Sequence, residues 1–350
     1  MKIGLAGYSG SGVTTLLALF SEDVGLREKH SGPGMRSIKL QDPRLESIAR
    51  IYGSRKSTPV HLDIIELGDL RPEEGGGLRR ETVARAAGLD ALAVVLRGFS
   101  APLAAQCRKG LDLEEELSSL NVEFCLTDLI PVENRLARLA KEGKLSSPEG
   151  KLLDRVRGQL EDGMPVRGME LTREEARNLS GYQFLTHFPL FVLANVGEEG
   201  IPGVCYPELV EKCATERIGY LEMAGQVELE LLELPEEERG PFLEDLGLRS
   251  SSRDRFVSGV FDLLDLVTFF TANEREVRGW AIPRNTAAVV AAGKIHSDME
   301  RGFIRAEVLT YEDCVELGGH AAARESGRPR VEGKDYQVQD GDILQIRFNV

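Results

Sequence analysis

The residues best able to do chemistry stand at the start of the chain, in Met1–Thr15, MKIGLAGYSGSGVTT. Gly7 and Gly12 bracket Tyr8, Ser9, Gly10 and Ser11, and Val13, Thr14 and Thr15 follow. This is the phosphate-binding pattern G-x-x-x-x-G-K-[ST] with one departure, Val13 at the lysine position. Glycines let backbone N–H groups converge on a phosphate without Cβ obstruction. The first turn of a following helix adds unpaired N–H donors and a partial positive charge. The Thr14 hydroxyl suits a magnesium ion. The missing part is the cation that reaches the β- and γ-phosphates. A charge-assisted hydrogen bond contributes roughly 1.5–3 kcal/mol, so its loss predicts about tenfold to hundredfold weaker affinity. The effect on hydrolysis is expected to be larger, because charge develops there in the transition state. The loop read alone also fits a glycine-rich strand-to-helix turn with no ligand.

The elements around the loop follow from periodicity. Residues 2–6 read as a short apolar strand and 14–20 as a helix. Asp42-Pro43 is a helix entry, with Asp42 as cap and Pro43 in the first turn. VHLDIIEL (60–67), ALAVVL (91–96) and PLFVLAN (189–195) are buried strands separated by helical stretches. That alternation predicts βαβ units and a mostly parallel α/β sheet. Between 111 and 182 the pattern changes. Val132, Leu136 and Leu139 share one helical face, as do Leu152, Leu153, Val156 and Leu160. Two antiparallel helices joined near 143–148 would bury these stripes against each other as a helical hairpin or short coiled coil. From about Trp280, short strands are expected at 280–282, 306–309, 335–338 and 343–348, with one helix at 311–325. The expected partition is therefore a first part of a phosphate-loop domain at 1–110, a helical insertion at 111–182, the second part of the domain at 183–278, and a small α+β module at 279–350.

Composition limits the alternatives. The chain has 350 residues, 42% hydrophobic and 29% charged, with a formal charge of −14. No run approaches the roughly 18 apolar residues of a membrane span. The N-terminus enters a strand directly, without an apolar leader, so a cytoplasmic location is expected. The acidic balance argues against coating nucleic acid through bulk electrostatics, although Arg324, Arg328 and Arg330 offer a local basic patch. Cys107, Cys125, Cys205, Cys213 and Cys314 contain no C-x-x-C pair and read as reduced thiols.

Beyond these patterns, several stretches resemble one family. The C-terminal segment GFIRAEVLTYEDCVELGGHAAARESGRPRVEGKDYQVQDGDILQIRFNV is similar to the TGS domain of the YchF proteins, P-loop NTPases of the Obg group. DPRL at 42–45, LTREE at 171–175, ANVGEEG at 194–200, TFFTANEREVRGWAI at 268–282 and AAGKIHSDME at 291–300 match the same family in order. The resemblance implies an ATP- or GTP-binding domain, a coiled-coil insertion, a ubiquitin-like β-grasp TGS module and association with ribosomes.

The family's nucleotide motifs carry over one position at a time. The phosphate loop matches at Gly7, Gly12, Thr14 and Thr15 and departs at Val13. The first-switch threonine corresponds to His30, in HSGPGMRS. The second switch, D-x-x-G, corresponds to Glu66-Leu67-Gly68-Asp69: Glu66 keeps a carboxylate for a magnesium-bound water, while Asp69 adds negative charge near the γ-phosphate position. The family's GEGLGN segment reads GGGLRR at 75–80. The base-reading motif corresponds to Asn195-Val196-Gly197-Glu198, closer to the ATP-binding than to the GTP-binding pattern. The resemblance thus implies nucleotide contacts from Gly7, Tyr8, Ser9, Gly10, Ser11, Gly12, Val13, Thr14, Thr15, Asn195, Val196 and Glu198, and Mg²⁺ contacts from Thr14 and Glu66. A strand ending in Asn is also a common structural device, and Tyr8 fits either stacking on the nucleotide or packing.

With three catalytic parts altered, the expectation is a monomeric, ribosome-associated purine nucleotide binder, ATP favoured over GTP, with weak or lost hydrolysis. The alternative is a pseudo-NTPase scaffold that acts through its coiled-coil and TGS elements, on ribosome or RNA, without nucleotide. A third reading retains hydrolysis through a substitute cation, with Lys2, Arg79 and Arg80 as candidates. His61 with Asp63, and His296 with Asp298, read as structural hydrogen-bonding pairs, and the glutamates of 228–238 as a solvated face.

Overall fold

In the computed structural model the described residues are 1–21, 34–72, 76–99, 112–198, 206–248 and 250–349. His30, Cys107, Cys205 and residues 73–75 lie outside them. The elements run β1 (Lys2–Gly7), α1 (Val13–Leu19), β2 (Met35–Lys39), α2 (Pro43–Tyr52), β3 (Ser57–Thr58), β4 (His61–Asp69), α3 (Arg80–Arg85) and β5 (Ala91–Gly98). Then follow α4 (Leu113–Lys141), α5 (Pro148–Glu161), α6 (Arg173–Ser180), β6 (Leu190–Val196), α7 (Pro207–Thr215), β7 (Gly219–Met223), α8 (Gly225–Leu231), α9 (Glu236–Asp245) and α10 (Ser252–Leu263). The last part holds β8 (Leu266–Ala272), β9 (Val277–Pro283), α11 (Ala288–Ile295), α12 (Ser297–Arg301), β10 (Phe303–Leu309), α13 (Tyr311–Leu317), α14 (His320–Glu325), β11 (Arg330–Glu332) and β12 (Ile343–Phe348). The chain divides into two compact units, one of Met1–Ile38 with Asp63–Gly259 and one of Lys39–Leu62 with Val260–Val350.

The first unit is α/β. Its sheet has the order β2-β4-β1-β5-β6-β7, and β4, β1, β5, β6 and β7 pair in parallel. Every residue of β6 and six of the eight in β5 are buried. This is why both strands are unbroken apolar runs: a parallel strand covered on two faces has no solvated side to alternate with. Because the strands are parallel, their C-terminal ends share one edge. Gly7, Asp69, Gly98, Val196 and Met223 therefore gather where open α/β sheets bind ligands.

The helical insertion forms as its stripes predict. Val132, Leu136 and Leu139 of α4 join Leu152, Leu153, Val156 and Leu160 of α5 in one core cluster. A two-pronged ion pair ties the helices, from Arg135 Nε and Nη2 to Glu149 at 2.7 and 2.8 Å. Ser147 caps α5 through the Gly150 N–H at 3.1 Å, with Pro148 in the first turn. The base of α4 is fixed by Asp128, whose carboxylate accepts from Leu185 N–H, Thr186 N–H and Thr186 Oγ1 at 3.0, 2.8 and 2.7 Å.

The second unit is α+β, with sheet order β11-β10-β12-β8-β9-β3. Residues 39–62, which the sequence reading keeps within the first segment, are grouped with it. Leu45 and Ile48 of α2 pack with Phe270, Val277, Leu309, Cys314 and Ile343. Arg44 sits over the Phe270 ring and donates to Asp340 at 2.6 Å. Two local expectations are corrected. The helix expected at 311–325 is two helices, broken where Gly318 and Gly319 adopt φ of 86° and 96°, a region that only glycine enters freely. The strand expected at 335–338 is a single bridge, Gln337 to Ala287. The proposed basic patch is engaged internally. Arg324 pairs with Glu307 at 2.5 Å and Arg328 with Asp313 at 2.9 Å, while Arg330 lies over the Tyr336 ring. Among the described residues no helix is long and apolar enough to cross a membrane.

Candidate functional site

The phosphate-loop pattern forms a strand–loop–helix. β1 ends at Gly7 and α1 begins at Val13. The turn closes with Ser11 N–H donating to the Tyr8 carbonyl at 3.0 Å. Gly10 and Gly12 take φ of 86° and 98°, left-handed conformations of the kind from which backbone nests for anions are built. A Cβ at Gly7 would lie 2.4 Å from Ser11 Oγ and 2.8 Å from the Val95 carbonyl, so no other residue fits there. Ser9, Gly10 and Thr14 are exposed, Tyr8, Gly12, Val13 and Thr15 are half-buried, and Ser11 is buried. The Val13 side chain lies back against Gly7, its Cγ2 3.1 Å from where a Cβ there would be. An apolar group thus covers the base of the loop where the pattern calls for an ammonium.

Asn195 reaches the loop from the end of β6. It is 3% exposed, its Nδ2 donates to the Ser11 carbonyl at 2.9 Å, and its Oδ1 accepts from Gly225 N–H at 3.1 Å. Gly225 opens α8 tightly against α1: a Cβ there would come within 2.5 Å of Leu16 Cδ2. A Cβ on Gly12 would approach Asn195 Nδ2 to 2.1 Å. Asn195 therefore clamps together the phosphate loop and the turn after β7. Val196 is buried in β6, opposite Gly98 of β5, and Glu198 is exposed just beyond the strand. Beside them, Tyr206 donates through its hydroxyl to the Gly98 carbonyl at 3.2 Å, and Tyr220 donates to Glu222 at 2.7 Å.

The other flank is β4. Its register against β1 shifts between Leu5 and Ala6, where Gly68 takes φ of 98°, and Asp69 then stands opposite Gly7. Leu70 N–H donates to the Gly7 carbonyl at 3.3 Å. Ser9 N–H donates to Asp69 Oδ1 at 3.3 Å, so a carboxylate of the protein itself engages the loop. Asp69 also pairs with the Arg71 guanidinium. Glu66 is half-buried, and its Oε2 lies beside Gly34, 3.3 Å from where a Cβ there would be.

The residues fit a phosphate group in part. The glycine cradle and the exposed Thr14 hydroxyl fit; the cation half of the motif does not. For a metal, Thr14 and Glu66 offer oxygen donors, and among the described residues no group of three or more His, Cys, Asp or Glu side chains gathers into a ready-made site. Lys2 is excluded as a substitute cation. It lies at the N-terminal end of β1, five residues and roughly 16 Å of extended strand from Gly7, and its backbone N–H donates to Asp90 at 2.8 Å. Arg79 and Arg80 are exposed at the start of α3.

Comparison with known proteins matches this architecture from end to end. A family model, YchF-GTPase_C, described as "Protein of unknown function (DUF933)", matches residues 266–349. The whole chain is 33% identical to a Haemophilus influenzae protein named ribosome-binding ATPase YchF, covering 99% of it. The chain belongs to the YchF family. A Bacillus subtilis YchF is 33% identical over 91% of this chain and 90% of its own length. The structure titled Schizosaccharomyces pombe YchF GTPase superposes with a TM-score of 0.83 at 23% identity, over 99% of this chain and 97% of that one. That likeness shows a shared fold. A GTP-binding protein from Pyrococcus horikoshii has the same fold at a TM-score of 0.62 and 14% identity.

Sequence reasoning missed three features of this YchF chain. Asn195 has a tertiary partner in Gly225, thirty residues on. Asp69 touches the loop directly, where the sequence offered only its charge. Glu228, expected on a solvated face, is 3% exposed, accepts from Ser252 N–H at 2.7 Å and joins α8 to α10. Burial raises its pKa above the usual carboxylate range. Its signal is the apolar spacing of Val227 and Leu231 around it, which turns that helix face inward. The described cysteines are buried thiols, with Cys125 pushed up to about 11 and Cys213 to about 12 by desolvation.

Proposed function

We propose that this chain binds a purine nucleotide at Gly7–Thr15, with ATP favoured over GTP and with weak or lost hydrolysis, in the ribosome-associated role carried by the names of its relatives. The observation that carries this reading is the nest of Gly10 and Gly12, held in shape by Asn195 at 2.9 Å from the Ser11 carbonyl. A loop kept in that conformation by a buried tertiary clamp brings the N–H groups at its back, Gly12 to Thr14, to an anion already in place. Val13 then sets the limit: with no ammonium at the β- and γ-phosphates, binding is weakened and charge developing in the transition state is unmet.

In this mechanism Thr14, through its hydroxyl, and Glu66, through its carboxylate, would hold Mg²⁺. A bound Mg²⁺ would supply neutralising charge to the phosphates. Asn195 fixes the loop and the turn at Gly225. Val196, by its place in β6, sets the position of the exposed Glu198, which meets the amino group of adenine. The insertion at 111–182 and the C-terminal module at 279–350, a TGS-like β-grasp in this reading, face ribosome or RNA, from a monomer in the cytoplasm.

Titration of the full chain with fluorescent ATP and GTP analogues in Mg²⁺ tests the reading. Saturable binding with ATP tighter is expected; no binding at millimolar nucleotide overturns it. Sedimentation with ribosomes tests the partner, and failure to co-sediment with or without nucleotide rejects it. The scaffold reading is favoured by one observation, the Asp69 carboxylate on Ser9 N–H. It requires ribosome binding that is indifferent to nucleotide and to Thr14→Ala.

A further inference from the structure

The contact between β4 and the phosphate loop points to which nucleotide the site accepts. Asp69 stands in register with Gly7, and its Oδ1 accepts from Ser9 N–H at 3.3 Å and from Arg71 N–H at 3.2 Å. Its Oδ2 takes the Arg71 guanidinium. The Asp69 side chain is 22% exposed, so the carboxylate lies against the loop. Three bonds from two residues fix it in place.

The loop thus has two unequal parts. Its back, from Ser11 to Thr14, is held by Asn195. Its front lip, Ser9 and Gly10, is exposed, and there Asp69 engages the Ser9 N–H. A phosphate chain that occupies only the back of the loop stays clear of that carboxylate. One that extends over the lip must displace a carboxylate from its donor and then lie beside it. Like charges a few ångströms apart at a protein surface repel strongly enough to change affinity by about tenfold or more. Val13 acts in the same direction, since the motif's own lysine is absent from the loop.

We propose that the Asp69 carboxylate stands in for a terminal phosphate, so that the site selects a purine nucleoside diphosphate over the triphosphate, with Arg71 positioning the carboxylate. This rests on the nucleotide-binding reading above and adds the phosphate count to it.

The test compares N-methylanthraniloyl ADP and ATP, each titrated with Mg²⁺ into the full chain, wild type and Asp69→Asn. Asparagine keeps an acceptor for the Ser9 and Arg71 N–H groups and removes the charge. The wild type is expected to bind the diphosphate about tenfold more tightly. Asp69→Asn is expected to tighten the triphosphate about tenfold and to move the diphosphate less than about threefold. Asp69→Gly, which removes the side chain altogether, is expected to do the same. A wild type that binds triphosphate as tightly as diphosphate overturns the proposal, as does a variant that tightens both equally. If neither nucleotide binds to wild type or variants, the nucleotide reading itself falls and this one with it.

Discussion

Replacing Asn195 with alanine isolates what the clamp contributes. Two buried groups lose their partners, the Ser11 carbonyl at 2.9 Å and the Gly225 N–H at 3.1 Å. Each buried group left unsatisfied costs about 1–3 kcal/mol, so the pair predicts roughly 2–6 kcal/mol. A typical domain is stable by about 5–15 kcal/mol, so this is a large share. At about 2–4 °C per kcal/mol for a unit of this size, the midpoint should fall by roughly 4–24 °C. The assay must follow the first unit. The single tryptophan, Trp280, belongs to the second and would report the wrong transition. Far-UV circular dichroism melts, with amide hydrogen exchange at Gly225, give the needed readout. The expected result is a lowered first transition and loss of protection at Gly225. A base-contacting asparagine with no structural duty would instead lower nucleotide affinity and leave both readouts unchanged. A cost below about 0.5 kcal/mol, the scale of an ordinary surface change, with Gly225 still protected, would refute the clamp.

Three further outcomes follow from the same geometry. Gly12→Ala should cost about 2 kcal/mol or more, since φ is 98° and the new Cβ would lie 2.1 Å from Asn195 Nδ2; a melt within error of wild type would contradict it. Val13→Lys should tighten triphosphate binding about tenfold by restoring the charge-assisted bond, and unchanged affinity would show that the loop's shape, not its side chain, limits binding. Asp128 is raised by desolvation from 3.8 to about 6, so its neutral form stabilises the fold below pH 4 and that contribution is lost as pH rises through 6. The gap in stability between wild type and Asp128→Asn should therefore change in favour of wild type by up to about 3 kcal/mol from pH 7 to pH 4, measured by urea unfolding; a constant gap would refute the shift.

Much of the architecture is legible in local pattern. The apolar runs of β5 and β6, the glycine spacing of the loop and the stripes of α4 and α5 are short-range signals. Each records how one element meets its surroundings, and each appears in the structure at nearly the expected place. Side-chain commitments across the fold are different in kind. Asn195 ends a strand whether its amide turns to a ligand or to Gly225. Asp69 carries the same charge whether or not it reaches Ser9. Glu228 looks solvated until Ser252 is folded onto it. Residues 39–62 join Val260–Val350 because Leu45 and Ile48 find their apolar partners more than two hundred residues away.

By itself, then, the sequence determined that a phosphate loop follows the first strand, that it lacks its lysine, and that the chain is YchF-like from end to end. Only the tertiary structure decided that this loop is held open from one side by an amide and engaged from the other by a carboxylate. The reason is that a backbone nest is encoded within a few residues by glycines, whereas the groups that complete or obstruct it arrive from other strands of the parallel sheet, sixty and nearly two hundred residues away.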